Sequence, residues 1–267
     1  MTPFKPVTPR ATLALGNRDA RRPKGAPTGG ALDDELREQA ARIAKLQRVF
    51  YADGRRALLI VLQGRDAAGK DGTIRHVFGA VNPQGCDVTS FKTPSDAERL
   101  HDYLWRVHQC VPARGMIGIF NRSHYEDVLV PRVRGLVPRK GWLERYRQIN
   151  DFERMLVENG VVILKFFLHV SRSEQKRRLE DRLRDQTKNW KFNADDLEDR
   201  ARWGAFTAAY RDALRRCSTP WAPWYLVPAD DKKGRNWMVG NVILETLEGL
   251  KLRYPRGDPA ILSLKIR

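Results

Sequence analysis

Gly64-Arg65-Asp66-Ala67-Ala68-Gly69-Lys70 stands directly after the apolar run Leu58-Leu59-Ile60-Val61-Leu62, and this G-x-x-x-x-G-K spacing decides the fold. Glycines at both ends allow a turn tight enough to aim several backbone N–H groups at one anion. The helix that follows adds the positive end of its dipole, and Lys70 supplies a mobile cation. Ile74, Val77 and Phe78 recur at i, i+3 and i+4, the apolar stripe of an amphipathic helix. Strand, loop and helix therefore come in the order that a phosphate-binding loop requires. Asp71 departs from the usual pattern, in which a magnesium-ligating Ser or Thr follows the lysine. A glycine-rich turn that binds nothing is the bland alternative, and both flanks argue against it.

Outside this loop the pattern continues as α/β. Leu32, Leu36, Ala40, Ile43, Leu46 and Phe50 predict a helix that turns at Asp53-Gly54 into the first strand. Residues 86–91, 116–120, 161–168 and 224–227 predict four further strands. Ser95-Asp96-Ala97-Glu98 is a capping box that opens a helix through Leu100, Tyr103, Leu104 and Val107, and another helix spans about 142–156 before Asn159-Gly160. Continuous apolar strands alternating with helices imply a parallel sheet covered on both faces. Between the fourth and fifth strands, residues 171–216 predict a helical hairpin, its first helix capped by Ser171 or Ser173 and its second by Asn193. Residues 1–30, with Pro3, Pro6, Pro9, Pro23 and Pro27 among basic residues, read as an arm unable to build a regular element or a core of its own, and residues 31–267 as one domain.

Across the 267 residues, 49 Lys and Arg against 32 Asp and Glu give a formal net charge of +17, which calls for a polyanionic partner: nucleic acid, an acidic membrane surface or a phosphate polymer. Cys86, Cys110 and Cys217 have no C-x-x-C spacing, so neither a disulfide framework nor a thiolate zinc site is expected. No apolar run approaches about 18 residues and no signal-peptide core of about 7–15 is present, so a soluble cytoplasmic chain without membrane contact is expected.

Past the third strand, Phe120-Asn121-Arg122-Ser123-His124-Tyr125-Glu126-Asp127 should face the same crevice as the loop, because ligands in doubly wound sheets bind outside the carboxyl ends of the strands. Arg122 can grip a phosphate bidentately, and Glu126 and Asp127 offer hard oxygen ligands for magnesium. A solvated loop is the structural alternative. On the hairpin, Arg178 and Arg182 lie one turn apart and could extend a basic track, or could form an ordinary solvated face with Glu174, Glu180 and Asp181. His124 reads as a polar contact rather than a nucleophile, Trp221, Trp224 and Tyr225 as packing rather than base stacking, and Lys232, Lys233 and Arg235 as cations placed to reach the crevice or the polymer.

Leu62-Gln63-Gly64-Arg65-Asp66-Ala67-Ala68-Gly69-Lys70-Asp71-Gly72, taken with Phe120 to Leu129, resembles the polyphosphate kinase 2 family, and the likeness runs from about Leu32 to Leu250 in element order. The resemblance implies a three-layer P-loop kinase fold, with a five-stranded parallel sheet, helices on both faces and a helical lid at 171–216. It also implies reversible transfer of a terminal phosphoryl group between inorganic polyphosphate and adenosine nucleotides (AMP, ADP, ATP) with Mg²⁺ or Mn²⁺, in a homo-oligomer. By the same likeness Asp66, Lys70, Arg122 and Asp127 are the catalytic residues, and Asp66, Glu126 and Asp127 are the metal acids. Asn121, Glu126 and Asp71 face the acceptor. Gly64, Ala68, Gly69, Gly72, Thr73 and Arg75 join Lys70 and Arg122 in holding phosphates, and Arg178 and Arg182 are added to that set by their spacing and charge. Class I members, which mainly phosphorylate diphosphates, commonly carry Asp at the position of Asn121 and Asn at that of Glu126. This chain resembles class III, whose members accept monophosphates and diphosphates. An ATP-dependent nucleoside monophosphate kinase and a nucleic-acid-binding P-loop protein are the alternatives, and nucleic acid is the less expected partner.

Overall fold

Every residue of Ala57–Gln63 (β1) is buried, and its side chains alternate between two cores. Ala57, Leu59 and Val61 enter one cluster, and Leu58, Ile60 and Leu62 the other, as the two-residue period of a strand covered on both faces dictates. The computed structural model describes residues 5–9, 11–261, 264 and 266; the remaining positions, Pro3 of the arm among them, lie outside the described residues. Four more strands, Cys86–Ser90 (β2), Ile117–Asn121 (β3), Val161–His169 (β4) and Trp224–Pro228 (β5), complete an all-parallel sheet in the order β2-β3-β1-β4-β5. Leu58 sits opposite Ile117 on one side and Val162 on the other. The chain leaves β1 for the far edge and returns, so the order reverses beside β1 and opens a crevice at its carboxyl end.

The helices follow in chain order as Gly29–Asp53 (α1), Lys70–Val77 (α2), Asp96–Arg99 (α3), Trp105–His108 (α4), Glu126–Arg134 (α5) and Arg139–Glu158 (α6). Arg172–Arg184 (α7), Asp195–Ala201 (α8), Trp203–Arg216 (α9) and Lys232–Gly249 (α10) complete them. Helices α1, α2 and α10 cover one face, and α5, α6 and α9 the other. Among the described residues, no helix is long and apolar enough to cross a membrane.

Two helix expectations are corrected, and the arm proves to have a seat on the body. The helix expected through Val107 is two short pieces. The Ser95 box closes as expected, but Asp102 starts the second piece by accepting the Leu104 N–H at 3.0 Å, and Leu100 is left exposed. The second lid helix breaks at Arg202 into α8 and α9, and Asn193 caps by accepting the Asp195 N–H at 3.1 Å. The arm packs on the body: Val7, Leu15 and Ala20 are buried, and Asn17–Ala20 forms a 3₁₀ turn. Edge strand β5 leaves carbonyls unpaired, and the Val7 N–H donates to one of them, Trp224 O, at 2.7 Å. Farther on, His169 donates to Gly16 O at 2.9 Å, the Asp230 N–H donates to Ala20 O at 3.1 Å, and Asn17 accepts the Arg172 N–H at 3.1 Å, fixing the start of α7.

Candidate active site

In the loop between β1 and α2 each carbonyl from Gly64 to Gly69 is held by a donor. Lys70, buried at the start of α2, donates to Gly64 O at 2.7 Å and to Arg65 O at 3.3 Å. Gln175 holds Asp66 O at 3.0 Å, and Arg178 holds Ala67 O at 3.0 Å and Ala68 O at 3.1 Å. Gly69 O accepts both the N–H of Thr73 (2.9 Å) and its hydroxyl (3.2 Å). Gly64 is needed because a Cβ there would stand 2.7 Å from Leu168 O, at φ +154°. Gly69, at φ +105°, has no room for one against the Arg235 guanidinium.

Facing the loop, Arg122 sits at φ +62° just past β3 and pairs with Asp66. Burial pushes the Asp66 carboxyl up, but Lys70 and Arg122 outweigh it and hold the group below the usual aspartate value. Burial pulls the Lys70 ammonium below the ordinary lysine range, against the opposing pull of Asp66. Glu126, at the first turn of α5, accepts from the buried Gln63 amide, whose oxygen takes the Ser123 hydroxyl at 3.3 Å. Asp66, Arg122 and Glu126 share one narrow cleft with Gln175, Asp196 and Tyr210 from the lid side. Burial and the neighbouring Asp66 carboxylate push Asp196 up to about 7.

A second chain of contacts closes the rim. Asn121 donates to Asp71 at 2.9 Å, and Lys191, from the short turn between α7 and α8, reaches the other Asp71 oxygen at 3.1 Å. The far end of the lid is tied in by Arg65, whose guanidinium lies 3.8 Å over the Trp203 ring and donates to Trp203 O (3.1 Å) and Thr207 Oγ1 (2.6 Å). Burial lowers its pKa to about 10.

Several expected site residues lie elsewhere. Asp127 points away from the cleft toward Arg106 (3.7 Å) and Arg145 (3.8 Å), and burial, only partly countered by those arginines, pushes its carboxyl up to about 6. Among the described residues, no three His, Cys, Asp or Glu side chains gather into a ready cation cage, so Asp66 and Glu126 are brought together and Asp127 is not. Arg178 is 7% exposed and spends all five N–H groups on Glu174 and on the carbonyls of Ala67, Ala68, Ala229 and Asp230, so it meets the back of the loop rather than an open track. Arg182 reaches the cleft only through Asp196, at 3.6 Å, and Arg75 is exposed on α2. Lys233 is turned outward to Asp33 at 2.6 Å, and Arg235 is buried behind the loop. Gln63, Gln175, Lys191 and Asp196 escaped the sequence reading. Only Gln175 had a signal there, its i, i+3 spacing from Arg178.

Beneath the Phe120–Asp127 segment lies a buried polar cluster. Lys165, on β4, donates to Glu153 at 2.5 Å, to the Tyr125 hydroxyl at 2.8 Å and to Cys217 O at 2.7 Å. Tyr125 donates to Glu153 at 2.9 Å, and His124 lies 3.2 Å from the same carboxylate. His124 is thereby a support of the loop, 1% exposed, and not a nucleophile open to the cleft.

A parallel sheet with its order reversed beside β1, a phosphate loop at that point and a helical lid above it define a P-loop phosphotransferase. The chain belongs to the polyphosphate kinase 2 family, whose model, described as Polyphosphate kinase 2 (PPK2), matches residues 30–255. The AMP/ADP-polyphosphate phosphotransferase of Meiothermus ruber is 54% identical over 219 residues, 82% of each chain. The ADP-polyphosphate phosphotransferase of Rhodopseudomonas palustris is 48% identical over 237 residues, 84% of this chain and 82% of its own length. The crystal structure of polyphosphate kinase 2 from Arthrobacter aurescens superposes with a TM-score of 0.83 at 40% identity, covering 94% of this chain and 95% of that one.

Proposed function

We propose that this kinase transfers the terminal phosphoryl group of inorganic polyphosphate to AMP and to ADP, reversibly and without a covalent enzyme intermediate. The observation that carries the reading is a carboxylate, Glu126, in the same cleft as the Asp66–Arg122 pair and the phosphate loop. An oxygen of the acceptor's last phosphate forms the new P–O bond while the bridging bond to the rest of the polymer breaks, so the chain leaves one phosphate shorter. Such a transfer needs alignment and charge neutralisation more than proton traffic. Lys70 and Arg122 neutralise the donor oxygens, the loop N–H groups and the start of α2 hold them, and Asn121 and Asp71 border the acceptor. Asp66 and Glu126 suit Mg²⁺ or Mn²⁺, which takes one or two carboxylates and completes its shell with phosphate oxygens and water. When bound, the ion draws charge from the phosphates that two carboxylates would otherwise repel. A homo-oligomer in the cytoplasm belongs to the same reading, which the family likeness supports.

The test is incubation of purified protein with Mg²⁺, long-chain polyphosphate and either AMP or ADP, with no ATP present, followed by resolution of the nucleotides. ADP from AMP and ATP from ADP are expected, both abolished by excess EDTA. Phosphorylation only when ATP is supplied would make the chain an ordinary monophosphate kinase. Salt-sensitive nucleic-acid binding with no transfer would make its charge a nucleic-acid footprint.

A further inference from the structure

We infer that Arg178 and Arg235 are positioning residues that shape the phosphate loop from behind, acting through its peptide carbonyls and never touching the donor. The inference rests on the reading of this loop as the donor site. Arg178 comes from the root of the lid (α7) and Arg235 from α10, and they converge on one atom: Ala68 O accepts from Arg178 Nη1 and from Arg235 Nη1, each at 3.1 Å. Arg178 also holds Ala67 O and, through Nη2, the carbonyls of Ala229 (2.7 Å) and Asp230 (2.9 Å) at the end of β5. Arg235 is itself braced by Asn236 Oδ1, which accepts from Nε at 3.2 Å and Nη2 at 2.9 Å. Both guanidiniums are buried, at 7% and 3% exposure.

A peptide unit is planar and trans, so a carbonyl pulled to one side turns the N–H of the next residue to the other. Holding Ala68 O from behind therefore directs the Gly69 N–H away from the two arginines, to the side where an anion sits. Holding Ala67 O has a second effect. Ala67 is a non-glycine residue at φ +61°, a left-handed conformation that persists only where the surroundings over-determine it. Here the Arg178 fork and the Ala68 N–H to Arg65 O bond (3.0 Å) over-determine it. With Gln175 on Asp66 O, three successive loop carbonyls are gripped by the lid root and α10. A lysine could supply the charge but not a planar fork that reaches the phosphate loop, the turn after β5 and a carboxylate at once.

The test uses tripolyphosphate as probe and the full chain, titrated calorimetrically at several salt concentrations, for Arg178→Lys, Arg178→Gln, Arg235→Lys and the double lysine variant, each first checked by its melting curve. The wild type should bind. Arg178→Lys and Arg178→Gln should each weaken binding by about tenfold with the slope of log K against log salt unchanged, because no phosphate contact is lost. The double lysine variant should lose less than the product of the single losses, since both arginines act on Ala68 O. The inference is overturned if Arg178→Lys binds within about twofold of wild type while Arg178→Gln lowers the slope by about one, the signature of a charge in contact with phosphate. Multiplicative losses overturn it as well. Should Arg178→Gln fail to fold, with the carbonyls of Ala67, Ala229 and Asp230 left without their donor, the two lysine variants and their coupling decide. A wild type that does not bind tripolyphosphate overturns the donor-site reading and this inference with it; a binding wild type with unaffected variants overturns the inference alone.

Discussion

Replacing Glu153 by Gln should be the most damaging conservative change in the molecule, although Glu153 never meets substrate. It is 1% exposed, and Lys165, at 0%, has no water to fall back on. The substitution leaves a buried ammonium with only the Tyr125 hydroxyl, the Cys217 carbonyl and an amide oxygen for company. Removing one partner of a buried pair costs about 3–5 kcal/mol. For a chain of this size each kcal/mol lowers Tm by about 2–4 °C, so a drop of roughly 6–20 °C is expected. Replacing both charges, Glu153→Gln with Lys165→Met, should recover much of that loss, because no uncompensated charge remains. Urea unfolding near neutral pH, with melting curves alongside, measures both. Burial pushes the Glu153 carboxyl up, but Lys165 and His124 together hold it below its ordinary 4.5. A depressed folded-state pKa means a contribution complete above the unfolded value and lost as pH falls through the folded one, so the wild type should shed this stability only below about pH 4.5. The Gln variant should lack that acid limb. A single-variant cost under about 1 kcal/mol, or a double variant worse than the single, would refute the reasoning.

Lys70→Ala should lower turnover by about 10²–10³, the scale of one preorganised charge-stabilising group, without changing the fold by circular dichroism; near-normal turnover would remove the loop from the mechanism. Glu126→Asn should depress AMP phosphorylation more than ADP phosphorylation in parallel initial-rate assays, and equal losses would detach Glu126 from acceptor choice. Asp127, raised to about 6 by burial, contributes stability that is present below its unfolded value near 3.8 and lost as pH rises through 6. Asp127→Asn should therefore flatten the decline of Tm between about pH 4 and 6, and an unaltered profile would contradict that sign.

All five strands were legible to within about a residue, because a parallel sheet covered on both faces writes itself as uninterrupted apolar runs between helices. The loop and the Arg122 segment were legible too, since their chemistry is local in sequence. The rest depended on contacts between distant residues. Arg178 and Arg182 share a helix face and a charge, yet one is gripped by carbonyls from 110 and 51 residues away and the other pairs with Asp196. Spacing alone cannot separate them. Lys165 sits in an otherwise apolar strand and its partner Glu153 in an amphipathic helix, so the pair becomes visible only when α6 is laid on β4. The arm's seat was hidden for the opposite reason: proline excludes long regular elements, as read, but leaves open an extended strap along an unpaired strand edge.

The lid is anchored very unevenly. Its roots are bolted to the loop, α7 through Gln175 and Arg178 and α9 through Arg65 and Trp203, and Asp196 of α8 is buried against the cleft, whereas residues 185–194 reach the body through the side-chain ion pair of Lys191 with Asp71 at 3.1 Å. Pairs as exposed as Lys191–Asp71 are worth about 0–1 kcal/mol and weaken with salt, so the tip can lift at small cost while the roots stay seated. The cleft wall and the lid tip before α8 are thus separable parts. A graft exchanging only residues 185–194 between relatives would re-cut the rim above Asp71 and leave Asp196, on the wall of the cleft beside Asp66 and Arg122, where it is.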